Sequence, residues 1–153
     1  MKSAFALILL FVTLTSLINL NGKWYHNLDE ALHIAQNEHK YVILNFSGSD
    51  WCGPCIRMHK EILETESFQK FADSTLIMVN ADFPRLKKNQ LGVEQQKLND
   101  AVADKYNSKG IFPLTLLING YGKTIKTWDG LPKENVDAFT QEVIDAIISD
   151  RHL

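Results

Sequence analysis

The sequence predicts a single three-layer α/β domain whose central mixed sheet has four to five strands. Short runs of β-forming apolar residues alternate with segments of helical periodicity, the pattern of parallel β-α-β units. Two runs near the C-terminus are separated only by a short turn, which predicts an antiparallel hairpin at one edge of the sheet. The chain has 153 residues, of which 45% are apolar, so it is long enough to bury one core.

The first predicted elements are a helix, a buried strand and two further helices. Asn27 is a helix-capping residue with Glu30 three positions later, and apolar residues follow at helical spacing: Leu28, Ala31, Leu32 and Ala35. The uninterrupted run YVILNF at 41–46 predicts a buried central strand. A helix over about 54–63 begins with a proline, which is favoured in a first turn, and a short helix follows at 66–72.

The second half of the chain contains the remaining strands of the sheet. The predicted elements are strand 75–82, loop 83–92, an amphipathic helix containing Leu98, Ala101, Val102 and Tyr106, strand 112–119, turn 120–122 and strand 123–128. Gly130 ends the hairpin. We expect the last helix to begin at Pro132, with Val136, Phe139, Val143 and Ile147 along one face.

The first 22 residues have the pattern of an export signal. Lys2 precedes a run without charge from Ser3 to Gly22, and a short positive stretch before an apolar run is typical of a secretory signal peptide. The same run is long enough to remain as a membrane anchor. Both interpretations place the domain of residues 23–153 outside the cytoplasm, in the periplasm or a similar compartment, either free or anchored to the inner membrane by residues 3–22.

The overall charge argues against one class of partner. The formal net charge is −2, whereas a broad surface for nucleic acid needs clustered excess Lys and Arg. Arg85, Lys87 and Lys88 form a small basic loop, which is either solvated or the rim of a surface for a protein partner.

The two cysteines of the chain lie together in the segment SGSDWCGPC at 47–55, between the first predicted strand and the following helix. A disulfide between Cys52 and Cys55 would close so short a loop that it would add little stability, which argues against a structural role. The N-terminus of a helix favours a thiolate. We therefore predict that Cys52 is exposed and attacks a partner's disulfide, and that Cys55, more buried, resolves the mixed disulfide.

Several segments carry a resemblance to a known family. WCGPC after a buried strand, IFP before a later strand, and the final hairpin and helix resemble the thioredoxin superfamily. The segments GSDWCGPC, NADFPRLKK and LNDAVADKYNSKGIFPLTLLINGYGK further resemble exported bacterial thioredoxin-like proteins related to periplasmic disulfide reductases. The resemblance covers roughly residues 25–150 and implies a thioredoxin fold.

The resemblance also implies thiol-disulfide exchange with protein partners. It implies no cofactor beyond the redox-active cysteine pair, and it implies a membrane-bound or soluble dithiol protein as electron donor. The Gly-Pro pair between the cysteines resembles that of reducing thioredoxins, so we expect a disulfide reductase. The oxidase and isomerase directions stay open, because potentials in this fold span about −270 to −120 mV.

Further site residues follow from the resemblance alone. It implies a cis peptide bond before Pro113 and a substrate groove formed by Phe112 and Pro113 with Trp51, Gly53 and Pro54. The other interpretation of Pro113 is an ordinary trans proline at the start of a strand.

Three positions depart from the family pattern. Asn45 stands where the family carries a buried aspartate that manages the proton of the second cysteine, Leu114 stands where a threonine follows the cis-proline, and Lys60 stands where a proline kinks the motif helix. His59 lies one turn after Cys55 on the same helix face. It is either the group that takes the proton Asn45 cannot accept or a solvated surface histidine.

The sequence allows two alternatives to disulfide exchange. Cys52, Cys55 and His59 offer three ligands for a copper-binding chaperone or metal-binding module, although structural zinc sites need four and the copper-binding relatives space their cysteines differently. We predict no bound metal. The second alternative is an adaptor whose cysteines are incidental. Asp50, beside the motif, is expected to be solvated or to raise the pKa of Cys52 slightly.

Overall fold

The computed structural model describes residues 22–152, so the predicted leader lies outside it except for Gly22. In chain order the elements are β1 (Trp24–Tyr25), α1 (Leu28–Glu38), β2 (Tyr41–Ser47), α2 (Gly53–Met58), a π-helical turn (His59–Leu63), α3 (Glu66–Thr75), β3 (Leu76–Asp82), a 3-10 turn (Lys87–Asn89), α4 (Val93–Tyr106), β4 (Leu114–Ile118), β5 (Thr124–Asp129) and α5 (Val136–Arg151). Across residues 22–152, none of the helices combines the length and the apolar character needed to span a bilayer.

The five strands form one mixed sheet in the order β1-β3-β2-β4-β5. β1, β3 and β2 run parallel, β4 is antiparallel to β2, and β5 is antiparallel to β4. All seven residues of β2 are buried, as its continuous apolar run predicts. The predicted parallel units, terminal hairpin and mixed sheet are therefore confirmed.

The core is divided between the two faces of this sheet. Ile43 and Met78 belong to a cluster with side chains of α2, the π-helical turn, α3 and α5. Val42, Leu44 and Val79 belong to a second cluster with side chains of α1 and α4. Because neighbouring residues of a strand face opposite sides, the sheet is covered by helices on both faces, which confirms the three-layer arrangement.

The structure also differs from the sequence prediction at three places. β1 was not predicted, because two residues are too short for a periodic signal. The last helix begins at Val136 rather than at Pro132, since the side chain of Asn135 caps it and accepts a hydrogen bond from the amide of Ala138 at 3.0 Å. The motif helix is α-helical only to Met58 and continues as a π-helical turn.

The predicted helix start at Asn27 is confirmed by its hydrogen bonds. Its Oδ1 accepts from the amides of Asp29 at 2.9 Å and Glu30 at 3.2 Å. Strand β2 follows α1 and ends at Ser47. The cysteine motif leads from this end of the strand into α2. The fold thus places the motif at the carboxyl end of a central parallel strand, a position where α/β proteins commonly build sites.

Candidate active site

The two cysteines form a disulfide at the start of α2. The Cys52 and Cys55 sulfurs are bonded at 2.08 Å, and Cys52 is the N-cap of the helix. The Sγ atom of Cys52 accepts a hydrogen bond from the amide of Cys55 at 3.3 Å. A helix-terminal amide that points at this sulfur stabilises negative charge on it, so the geometry favours a thiolate at Cys52 after reduction.

The prediction that Cys52 is exposed is wrong for this oxidised form. Cys52 is 5% exposed and Cys55 is 1% exposed, so the order of accessibility is as expected but both are buried. The physical reason is that the Cys52 sulfur is bonded to Cys55 and directed towards the Cys55 amide in the first turn of the helix. Gly53 and Pro54, between the cysteines, are exposed.

Trp51 lies between the redox pair and the loop after β3. Its Nε1 donates a hydrogen bond to the carbonyl oxygen of Phe83 at 2.7 Å, and the Arg85 guanidinium lies 3.6 Å from its ring centroid. The ring meets Phe112 edge-on at a centroid distance of 5.5 Å. Trp51 is therefore held in a fixed orientation next to Cys52.

The peptide bond between Phe112 and Pro113 is cis, as the resemblance implied, and the alternative of a trans proline is wrong. Pro113 is buried and its carbonyl oxygen accepts a hydrogen bond from the amide of Gly130 at 2.8 Å. Phe112 is half-buried and its ring contacts both Trp51 and Phe83, with 5.5 Å between centroids in each pair. The structure thus brings the predicted groove residues from two distant segments to one place.

Asn45, which stands at the position of the family's buried aspartate, is in direct contact with His59. Asn45 is fully buried in β2, and its Oδ1 lies 3.0 Å from the Nε2 of His59. Its Nδ2 donates to the hydroxyl of Thr115 at 2.9 Å. The Nδ1 of His59 lies 3.1 Å from a carboxylate oxygen of Glu64, and its ring packs against that of Trp24 with 5.1 Å between centroids and a tilt of 31°. With 18% of its side chain exposed, His59 is not the solvated surface residue of the alternative interpretation.

A cavity of about 590 Å³ is lined by both His59 and the second cysteine. Its lining includes Cys55, His59, Ser47, Asn80, Trp24 and Glu64. The polar side chains of Ser47, Asn80, His59 and Glu64 contribute to a lining that is otherwise mainly apolar, so water beside Cys55 has hydrogen-bond partners there.

A family model described as thioredoxin-like matches residues 23–119. The chain belongs to the thioredoxin-like family. This match and the five-stranded mixed sheet establish the predicted thioredoxin fold. Among solved structures, one titled "DsbH Oxidoreductase" has a TM-score of 0.74 at 35% identity, covering 82% of this chain and 84% of that one. A thioredoxin from Thermus thermophilus has a TM-score of 0.61 at 17% identity, with 84% and 88% covered, which supports the fold alone.

Two curated relatives of this thioredoxin-like protein come from Chlamydia pneumoniae. The disulfide bond reductase DsbH is 40% identical over 105 residues, which are 69% of this chain and 61% of DsbH. The thioredoxin-related protein DsbJ is 31% identical over 75 residues, which are 49% of this chain and 22% of DsbJ. The matches therefore span less than two thirds of the length of either relative.

The metal-binding alternative required His59 beside Cys52 and Cys55 as a third ligand. Instead, both ring nitrogens of His59 face hydrogen-bond partners, Asn45 and Glu64. No group of three or more His, Cys, Asp and Glu side chains between residues 22 and 152 is arranged to hold a metal ion.

The carboxylate of Asp82, which orders the site of this thioredoxin-like protein, was not identified from the sequence. Asp82 accepts hydrogen bonds from the amide of Ser49 at 2.8 Å and from its hydroxyl at 2.6 Å. Ser47 and Asp82 are paired in the parallel register of β2 and β3. A polar residue at the end of each of two parallel strands is a signal from which this contact was predictable, because such ends meet at one edge of the sheet.

Asp50 was expected to be solvated or to act on Cys52, and neither describes its main role. Its carboxylate accepts hydrogen bonds from the amides of Arg85 and Leu86 and from Nδ2 of Asn89, each at 2.9 Å. These bonds, the amide of Arg85 foremost, lower the pKa of Asp50. Asp50 therefore fastens the loop after β3 to the motif. Nothing in the local sequence indicates this contact, since 35 residues separate Asp50 from Arg85.

Proposed function

We propose that this protein is a thiol-disulfide oxidoreductase that reduces disulfide bonds of partner proteins outside the cytoplasm. The observation that carries the proposal is the Cys52–Cys55 disulfide at the N-terminus of α2, beside Trp51 and the cis-proline segment. A short-range disulfide at a helix start is suited to exchange rather than to stabilising the fold. The 40% identity to a disulfide bond reductase supports the reducing direction.

The reaction begins with the reduced pair. The Cys52 thiolate attacks one sulfur of the partner's disulfide, and the other partner sulfur leaves as a thiolate and takes a proton from water. Cys55 then loses its proton and attacks the Cys52 sulfur of the mixed disulfide. The Cys52–Cys55 disulfide forms, the second partner thiolate leaves, and two electrons have passed to the partner. A dithiol protein donor restores the reduced pair by the reverse exchange, so no organic cofactor is required.

The substrate groove in this proposal surrounds the Cys52–Cys55 pair. Trp51 and Phe112 provide the aromatic wall, Pro113 provides backbone beside it, and the exposed Gly53 and Pro54 leave the motif accessible to a partner chain. This arrangement suits an extended segment of a partner protein.

The proton of Cys55 needs an acceptor, and His59 is the group we assign to this role. The buried amide of Asn45 cannot take up a proton at ordinary pH, whereas His59 lines the cavity that Cys55 also lines. Water in this cavity would carry the proton from the sulfur to the ring. His59 is thus a positioning and proton-accepting residue that acts on Cys55 through water.

The contacts of His59 suit a group that gains and loses a proton. Nδ1 faces the carboxylate of Glu64, so it carries a hydrogen in either state. Nε2 faces the Asn45 amide, whose oxygen accepts from a protonated nitrogen and whose NH₂, after the amide turns over, donates to a neutral one. The hydroxyl of Thr115 follows either orientation, since it both donates and accepts.

The proposed location outside the cytoplasm rests on the predicted leader. Residues 1–22 direct export, whether they are removed or retained as an anchor to the inner membrane, and residues 23–153 form the thioredoxin-like domain. The uncharged run from Ser3 to Gly22 supports this assignment.

The test is the equilibrium reduction potential of the Cys52–Cys55 pair, titrated against glutathione and dithiothreitol buffers. We expect a value below about −230 mV, in the range of reducing thioredoxins. A value near −120 mV would instead indicate an oxidant and overturn the proposed direction. A Cys52→Ser variant that reduces protein disulfides as fast as the native chain would overturn the exchange reaction itself.

A further inference from the structure

The loop after β3 forms a fixed wall beside the redox pair. Three hydrogen bonds to Asp50 hold it at the amides of Arg85 and Leu86 and at the side chain of Asn89, each at 2.9 Å. Its first residue, Phe83, is bound at both polar backbone atoms: its amide donates to Ser47 at 2.8 Å, and its carbonyl accepts from Trp51 at 2.7 Å. Anchored this way, the loop keeps its position relative to the motif.

The loop carries three cationic side chains, those of Arg85, Lys87 and Lys88. We call the surface formed by these three side chains the basic wall. All three residues are exposed, and across residues 22–152 none of them takes part in an ion pair. The nearest carboxylate fixed to the loop, that of Asp50, is directed at backbone amides and Asn89 instead. The concentration of positive charge contrasts with the net charge of −2 of the chain.

The basic wall adjoins the groove through Arg85. Its guanidinium carbon lies over the Trp51 ring at 3.6 Å from the centroid, and Trp51 directly precedes Cys52. A guanidinium that stacks on an aromatic ring keeps its N–H edge free to bind a carboxylate in bidentate fashion. Leu86, 48% exposed between the cations, adds an apolar contact.

We propose that the basic wall selects partner disulfides that lie in an acidic segment of polypeptide. The partner chain passes along Trp51 and Phe112 with its cysteine at Cys52, and its Asp or Glu side chains bind Arg85, Lys87 and Lys88. The inference rests on the proposed function, because the wall acts by bringing a disulfide to Cys52. Since the wall is fixed by Asp50 and Phe83 before binding, little conformational freedom of the backbone is lost on docking.

The test uses two fluorogenic peptides that share one disulfide and differ only in the residues beside each cysteine, Glu in one and Lys in the other. With the reduced native protein in a buffer of low ionic strength, we expect kcat/KM for the acidic peptide to be about tenfold higher. We expect added salt to bring the two values together, because it screens charges that are exposed to solvent.

A charge-reversal variant locates the effect. The triple variant Arg85→Glu, Lys87→Glu, Lys88→Glu should prefer the basic peptide. The matched control changes three exposed cations at the opposite end of the sheet, Lys105→Glu, Lys123→Glu and Arg151→Glu, and should keep the native preference for the acidic peptide. Circular dichroism of both variants checks the fold, and the salt dependence of the native protein tests the proposal without any substitution.

The outcomes separate this inference from the proposed function. Equal kcat/KM values for the two peptides with native protein would overturn the basic wall as a selective surface and leave disulfide reduction intact. A preference that persists in the triple variant would likewise overturn it, since the selecting charge would lie elsewhere. Failure to reduce either peptide would overturn both proposals.

Discussion

The Nε2 atom of His59 lies 3.0 Å from Oδ1 of Asn45, so a titratable ring contacts the buried amide that stands in the position of the family's aspartate. One element supplies the amide and another supplies the ring, since Asn45 lies in β2 and His59 begins the π-helical turn after α2. The contact joins one departure from the family pattern, Asn45, to a residue of the following helical segment. The amide that stands in place of a carboxylate is thus paired with a titratable ring, which is the group we propose as proton acceptor.

Replacing His59 should slow one half of the reaction. In His59→Ala the resolving attack by Cys55 is expected to slow by about a hundredfold or more, the usual effect of losing a general base, while the first attack by Cys52 keeps its rate. Stopped-flow fluorescence with a single disulfide peptide separates formation of the mixed disulfide from its decay. His33→Ala, on the outer face of α1, is the control and should change neither step. Equal slowing of both steps would instead indicate a purely structural role.

Removing the resolving thiol should trap partners. In Cys55→Ala the mixed disulfide at Cys52 has no internal sulfur to displace it, so a covalent adduct is expected to accumulate. Intact mass spectrometry after incubation with a disulfide peptide measures the adduct. A Cys52→Ala variant incubated in the same way serves as control. An adduct of equal yield at Cys55 would show that Cys52 is not the specific nucleophile and would contradict the prediction.

The attachment of the loop after β3 should depend on pH through Asp50. The hydrogen bonds from the amides of Arg85 and Leu86 lower the pKa of this carboxyl in the folded protein. Their stabilising contribution is fully present above the unfolded pKa of about 4 and is lost as the pH falls through the lower folded pKa. The amide resonances of Arg85 and Leu86 should therefore shift together in an acid titration followed by NMR.

The Asp50→Asn variant provides the comparison for that titration. Its amide oxygen still accepts hydrogen bonds but carries no charge and does not titrate in this range. The acid shift of the two amide resonances should disappear in this variant. Retention of the same shift would assign it to another carboxyl group, such as that of Asp82.

The core below α5 should be sensitive to truncation at Phe139. This side chain is 1% exposed, and its ring lies 4.8 Å from Trp128 and 5.6 Å from Phe68. Phe139→Ala is expected to lower the free energy of unfolding by about 3–5 kcal/mol. Leu98→Ala, at a position 38% exposed, should lower it by no more than about 0.5 kcal/mol. Urea unfolding of both variants, followed by tryptophan fluorescence, makes the comparison.

The helices and strands that form the three layers were predictable, because periodic apolar patterns reflect burial directly. The run at 41–46 predicted β2 to within one residue, and Asn27 marked the start of α1 through a local cap. Pro132 misled the prediction of α5, because a proline permits a helix start but the capping side chain of Asn135 determines it. β1 left no signal, since only the parallel pairing with β3 makes its two residues a strand.

The site was predictable where chemistry is concentrated in a short motif and less so where contacts are distant. Cys52 and Cys55 were evident from spacing and context, and Pro113 from resemblance. The sequence indicated a proton-accepting role for His59 as one of two alternatives, but not its contact with Asn45, since that geometry depends on how the helix turns after Met58. Asp50 was misjudged because its partners lie 35 to 39 residues away, and no local pattern encodes a side chain that binds a remote backbone.

The π-helical turn at His59–Leu63 determines how many residues separate the cysteines from the next side chains that enter the core. Its hydrogen bond from the amide of Glu64 to the carbonyl of His59, at 2.8 Å, spans one residue more than an α-helical bond. The wide turn absorbs one extra residue, whereas an insertion into a regular α-helix would rotate the segment after it by about 100° relative to the segment before it. A further inserted residue would have no such turn to absorb it, so either His59 would leave Asn45, or Ile62 and Leu63 would leave the core. This stretch should therefore tolerate changes of side chain far better than changes of length.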